Sequence, residues 1–303
     1  MRTAPEVFLS KLIDYAGIFP PANLELSLAL SNYRSYLQSN HNWIISKFII
    51  SSTDLKKISI KDINQFNSQN LLNLSIISKN FNKDYNIINT FLREFSSSVK
   101  FSCLETQITN VTNFYNQMIE INDLIKKNKL KIFLFFELLS KNWQDNIPLV
   151  IDNISRFNET YETNFGFKLR CGGIKKSSFP APKYISTVLL QSIKKNIPMK
   201  FTAGLHHPYI YKDRQINTNM YGFFNVFLSG MFAKKYDLNK NDIIKILIDK
   251  NKDHFQFKEN KIKWQSYYIT KDEILDYRLK NFISFGSCSF DKPCEDLKDN
   301  GIL

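Results

Sequence analysis

The sequence predicts an α/β chain, specifically a (β/α)8 TIM-like barrel with an N-terminal helical extension. Three observations carry that expectation. Apolar runs of strand length recur with starts about 28 to 34 residues apart. Amphipathic, helix-like segments fill the intervals, such as "VTNFYNQMIEINDLIKK" (111–127) and "PKYISTVLLQSIKK" (182–195). A length of 303 residues suits one barrel. A doubly wound open parallel sheet is the alternative, but no G-x-G-x-x-G follows the first run.

The expected organisation is one domain over 1–303, with the extension at 1–40 and the barrel at 41–303. Within the extension, Pro20-Pro21 of "LIDYAGIFPP" imposes an extended turn after a short helix, and 24–37 reads as a second helix. Asp14 and Tyr15 either cover a pocket or cap the first helix. Strands follow at "WIISKFII" (43–50), "LLNLSII" (71–77), "VKFSCLE" (99–105), "KIFLFFEL" (131–138), "FGFKLRC" (165–171) and "MKFTA" (199–203). "HFQFKENKIKW" (254–264) and "FISFGS" (282–287) bring the count to eight, although "FKENKI" also reads as a hairpin. Between them "MYGFFNVFLSGMFA" is a helix apolar nearly all round, with Asn225 the exception that needs partners.

The net charge of +13 comes mostly from lysine, 34 of the 41 cationic residues, scattered with asparagine along the whole length. No basic block or nucleic-acid signature accompanies it, which points away from nucleic acid and towards a basic surface favouring small anionic molecules. The four cysteines form no Cys-x-x-Cys, a reduced, cytoplasmic pattern. The N-terminus lacks an apolar signal core, and no run reaches transmembrane length. The composition leaves room for a homo-oligomer.

Six of the nine glycines lie between 166 and 230, with four of the nine prolines and two of the four histidines. Such clustering in a glycine-poor chain marks special backbone geometry or close ligand approach. Side-chain alternation sharpens this. Phe165, Phe167, Leu169 and Cys171 share one face of the fifth run, and Gly166, Lys168 and Arg170 share the other. Met199, Phe201 and Ala203 oppose Lys200 and Thr202 on the sixth. If the apolar faces pack under helices, Lys168, Arg170, Lys200 and Thr202 point into the barrel. Glu137 ends a buried strand at the C-terminal face, where barrel enzymes keep their chemistry. Glu105 has the outward parity of Val99, Phe101 and Cys103 unless a bulge intervenes. Gly172 and Gly173 offer backbone N–H groups to an anion, with Arg170 as a planar clamp. His206 and His207 follow on a loop, pointing opposite ways. One of them suits acid–base work. Ser287 lies where a barrel's phosphate loop often sits, and Asn225 either orients a loop or touches ligand. Beside Ser287, Cys288 lacks an identifiable activating base.

"KFTAG" (200–204) resembles, over five residues, the K-T-x-T-G stretch around the Schiff-base lysine of deoxyribose-phosphate aldolase, with the first threonine missing. The resemblance implies an amine role for Lys200.

The expected function is a lyase- or isomerase-like barrel enzyme acting on a small anionic carbonyl or sugar-acid substrate. Arg170, Gly172, Gly173, Thr202, Asn225 and Ser287 bind, and Lys200, Lys168, Glu137, His206 and His207 do the chemistry. A Schiff-base lysine is one version, favoured by a neighbouring cation that lowers the amine's pKa. No cofactor is required. The alternatives are a divalent-metal hydrolase or isomerase using a histidine with Glu137 and Glu105, and a non-catalytic ligand-binding barrel.

Overall fold

In the computed structural model, which describes residues 2–139 and 143–303, a closed barrel of eight parallel strands forms around a charged interior. In chain order the strands are β1 (Ile13–Tyr15), β2 (Ile45–Ser51), β3 (Leu72–Ser78), β4 (Val99–Gln107), β5 (Phe133–Glu137), β6 (Gly166–Arg170) and β7 (Met199–Thr202). A hairpin of β8 (Tyr211–Asp213) and β9 (Thr218–Met220) and an antiparallel sheet of β10 (Phe255–Lys258), β11 (Lys261–Trp264) and β12 (Tyr267–Thr270) come next, and β13 (Phe282–Ser287) closes the barrel between β7 and β1.

The helices are α1 (Ala4–Leu9), α2 (Leu26–Gln38), α3 (Ile60–Ile63), α4 (Phe81–Glu94), α5 (Phe114–Lys127), α6 (Trp143–Tyr161), α7 (Pro182–Lys194), α8 (Phe223–Tyr236), α9 (Lys240–Leu247), α10 (Lys271–Lys280) and α11 (Asp291–Asp299). Helices alternate with the barrel strands, as the spacing of apolar runs requires. Among the described residues no helix is long and apolar enough to cross a membrane.

Two strands differ from the expectation. Residues 254–264 are not a barrel strand: β10 and β11 reverse across Glu259 and Asn260, too short a link for the crossover that parallel pairing needs. The missing member is β1, from the stretch read as extension. It pairs in parallel with both β13 and β2. Its three residues are too few for a periodicity signal, and Asp14 at the centre breaks the apolar pattern that marks its neighbours. Only α1 precedes the barrel, capped by Thr3 and Glu6 in a reciprocal box. Phe8 of α1 packs against Phe224 and Phe227 of α8.

The expected faces hold on β6 and β7, and on β5 Glu137 takes the inward face. Phe136 packs outward on Phe114 of α5, and Phe201 on Phe227 of α8, with ring centroids 4.9 and 4.7 Å apart. The opposite faces turn Glu137, Lys168, Arg170 and Lys200 inward. Ala203 leaves the outward face, because β7 ends at Thr202 and Ala203 takes a left-handed φ of 61°. On β4 the pairing steps from Leu74↔Phe101 to Ser75↔Cys103, so Ser102 is an extra residue. That bulge reverses the alternation and turns Cys103 and Glu105 inward.

Helix α8 is buried on all sides, which explains its apolar circumference. Asn225 is satisfied within the scaffold: it accepts from Ile210 N at 3.0 Å and donates to the carbonyls of Ile246 and Asp249, each at 2.9 Å. It ties α8 to the β7–β8 loop and to the end of α9, and it does not reach the cavity described below.

Gly166 makes room for a large ring in the barrel. A Cβ there would lie 2.5 Å from the Pro198 carbonyl and 2.6 Å from the Phe135 ring. Gly166→Val is expected to cost ~1–3 kcal/mol through overpacking, read as a lower urea midpoint at unchanged slope.

Candidate functional site

Every barrel strand contributes at least one polar or charged side chain to a connected interior cluster. Asp14 comes from β1, Lys47 from β2, Ser75 from β3, Glu105 from β4, Glu137 from β5, Lys168 and Arg170 from β6, Lys200 from β7 and Ser284 from β13. Inward positions of a barrel are ordinarily filled by branched apolar side chains. Charges here must therefore satisfy one another, because an unpaired buried ion is costly.

They do so by strict alternation. Lys47 Nζ lies 3.3 Å from Asp14 Oδ1. Lys200 Nζ lies 2.6 Å from Asp14 Oδ2 and 2.6 Å from Glu105 Oε1. Lys168 Nζ bridges Glu105 Oε2 at 2.7 Å and Glu137 Oε2 at 2.9 Å. Arg170 Nε donates to Glu137 Oε1 at 2.8 Å. The small hydroxyls fill remaining positions: Ser284 donates to Asp14 Oδ2 at 2.6 Å, and Ser75 donates to Glu105 Oε1 at 2.5 Å. The chain of charges runs Lys47, Asp14, Lys200, Glu105, Lys168, Glu137, Arg170. Six members are buried, while the Arg170 side chain is 43% exposed.

Pairing overrides burial in setting the charge states. Burial alone disfavours each ion. For Glu105 it is outweighed by Lys168 and Lys200, for Asp14 by Lys200 and Lys47, and for Glu137 by Lys168 and Arg170, so all three carboxyls sit below their ordinary values. For Lys200 burial is outweighed by Asp14 and Glu105, and for Lys168 by Glu105 and Glu137, so both ammoniums are held above theirs. This reverses the expectation of a lysine amine with a lowered pKa. A neighbouring cation is present, but carboxylates lie closer than any other cation.

The cluster opens at the C-terminal ends of the strands into a cavity of about 390 Å3. Its floor is Glu105, Glu137 and Lys168; Arg170 and Thr202 stand beside them, with Ile49 and Ile77 as apolar wall. Gln107 at the end of β4, the Phe19–Pro20–Pro21 segment after β1, Gly173 and Ile174 after β6, Gly204 and His206 after β7, and Cys288 after β13 also line it. His206 Nδ1 lies 4.0 Å from Cys288 Sγ. Burial pushes the His206 imidazole below its ordinary value and the Cys288 thiol above its own, so both are neutral at pH 7.

Of the residues expected from sequence, Glu137, Lys168, Arg170, Gly173, Thr202 and His206 meet at this cavity. Lys200 is fully buried beneath the floor and does not line it. His207 turns away, pairing with Asp296 of α11 at 2.5 Å and stacking on Tyr211. Gly172 is a packing glycine: a Cβ there would meet Phe179 and the Cα of Gly204, which itself has a φ of +75°. Ser287 accepts from Ser289 N at 3.3 Å and lies outside the lining. Cys288, given no base by the sequence, has His206 beside it. Sequence reasoning missed Lys47, Ser75, Ser284 and Gln107 and left Asp14 and Glu105 undecided. A charge within an otherwise apolar strand, as in "WIISKFII", is the signal that would have found Lys47.

Among the described residues no three His, Cys, Asp or Glu side chains are grouped to hold a metal ion. Glu105 and Glu137, the expected carboxylate ligands, are engaged by Lys168, Lys200 and Arg170. Comparison of the chain with protein-family models and with curated proteins gives no match.

The carboxyls with lowered folded values contribute stability that is complete above their ordinary values of 3.8 and 4.5 and is lost as pH falls through the folded values. The lysines with raised values contribute stability that is complete below 10.5 and is lost as pH rises through the folded values. Urea unfolding should thus show a stability plateau between about pH 5 and about pH 10, with losses on both sides. Glu105→Gln should cost ~3–5 kcal/mol at pH 7, because it leaves two ammoniums short of a partner, and should flatten the acid limb.

Proposed function

We propose that this (β/α)8 barrel is an enzyme of the lyase or isomerase class, moving a proton next to the carbonyl or carboxyl group of a small anionic carbonyl or sugar-acid substrate in the mouth cavity. The observation that carries the reading is the ion-paired chain that rises through the barrel and ends at that cavity. Charges held rigidly by their neighbours stabilise charge that develops in a transition state without having to reorganise.

The roles follow from position. Arg170, at the rim, holds the substrate anion. Lys168, protonated and anchored by two carboxylates, faces a carbonyl oxygen and stabilises the enolate-like charge as a proton leaves carbon. His206, neutral at pH 7, is placed to accept that proton, a role worth about 10²–10⁴-fold in rate. Thr202 supplies a hydroxyl for orientation. Lys200 acts as a positioning residue, holding Glu105 so that its other oxygen faces Lys168. The acid–base version is preferred to the Schiff-base version, because Lys200 is sealed off and both lysines are held protonated. Four free cysteines, three of them buried, support a reducing, cytoplasmic setting.

The test is proton–deuterium exchange at the carbon next to the carboxylate, followed by NMR in D2O over a panel of hydroxy, oxo and sugar acids. The wild type should exchange at least one member. His206→Ala should slow it by about 10²-fold or more, and Lys168→Met should abolish it while circular dichroism stays native. Borohydride with the same panel should label neither Lys168 nor Lys200. Binding without exchange across the panel would leave the non-catalytic reading instead.

A further inference from the structure

We infer that the mouth cavity selects singly charged carboxylates, compact hydroxy or oxo monocarboxylic acids, over phosphates. The inference rests on the functional reading above and names its substrate class.

The cluster holds four cations, Lys47, Lys168, Lys200 and Arg170, against three carboxylates, Asp14, Glu105 and Glu137. One positive charge is left over. The alternating chain ends in a cation on both sides, Lys47 and Arg170; Lys47 is buried, so Arg170, with its side chain 43% exposed, is the end that a ligand can reach. Arg170 spends its Nε on Glu137, and among the described residues its Nη1 and Nη2 have no hydrogen-bond partner. A planar guanidinium edge of this kind matches a carboxylate in two-point contact.

A dianion fits less well. Its first charge neutralises the surplus, and its second lies against the Glu137 carboxylate, 2.8 Å from the same guanidinium. In a site partly shielded from water that repulsion is weakly screened. Arg278, also buried, does not alter the balance at the mouth. It lies at the other end of the barrel, where it donates to the carbonyls of Ser10, Phe282 and Ile283. Lys175 and Lys176, beyond the cavity rim, are exposed, and water and salt screen them. The neutral partners at the cavity, Thr202 and His206, suit a hydroxyl or carbonyl beside the carboxylate. The volume is near the lower end of the usual ligand-pocket range, which limits the ligand to a compact acid.

Isothermal titration calorimetry of the intact protein at pH 7.5 with glycolate, D-gluconate and inorganic phosphate tests this. At least one carboxylate should bind about tenfold or more tighter than phosphate. Arg170→Gln, at the rim and leaving the buried pairs in place, should remove that preference. Glu137→Gln adds a second surplus positive charge and should move the carboxylate-to-phosphate ratio towards phosphate by about tenfold. Phosphate binding as tightly as both carboxylates, no carboxylate binding to folded protein, or an unchanged preference in Arg170→Gln would each overturn the inference. If Glu137→Gln does not fold, the probe comparison and Arg170→Gln decide. Carboxylate selectivity without proton exchange would sink the catalytic reading and leave this one standing. Exchange on a phosphate-bearing substrate alone would do the reverse.

Discussion

An ammonium group sealed inside the barrel sets the terms for much of this structure. Lys200 has no contact with water, so it stays charged only because Asp14 and Glu105 each lie 2.6 Å from it. Both carboxylates are equally cut off and must use their second oxygens. Asp14 takes Lys47; Glu105 takes Lys168, which in turn takes Glu137. Each pairing solves one desolvation problem and creates the next, until the chain reaches solvent at Arg170. The backbone conforms to this. The bulge in β4 brings Glu105 inward, and β1 earns its place in the barrel through Asp14.

The same constraint links stability to function. Charges that must be fully paired to be buried are also charges that cannot reorient, and that is the condition for stabilising a developing charge. The cluster is buried at its lower end and open at its upper end, where the Arg170 side chain reaches solvent. A ligand entering the mouth meets Lys168 and Arg170 already oriented by Glu137. The neutral His206 and Cys288 face the same space without disturbing the balance.

Much of the site was legible in the strand alternation. Lys168 and Arg170 were readable because β6 keeps an unbroken two-residue period, and Glu137 because it is the one charge ending the apolar run of β5. Glu105 was not, because one extra residue in β4 reverses the parity and no local pattern announces it. Asp14 resembled a loop residue because its strand is three residues long. Lys47 was absorbed into an apolar run. The converse errors have one cause. His207 and Gly172 are rare residue types here and Asn225 is the polar exception in an apolar helix, yet each does scaffold work: an ion pair to α11, a close crossing of two loops, and a cap for three backbone groups.

By itself, the sequence determined the barrel class, the helices between strands and which face of most strands is apolar, because these follow from periods of two and 3.6 residues and are local. Tertiary structure decided which strand closes the ring, which lysine is sealed and which reaches the mouth, and how the charges pair. Those outcomes depend on contacts such as Asp14 to Lys200, 186 residues apart, where the cost of an unpaired charge is set by partners that no local stretch contains.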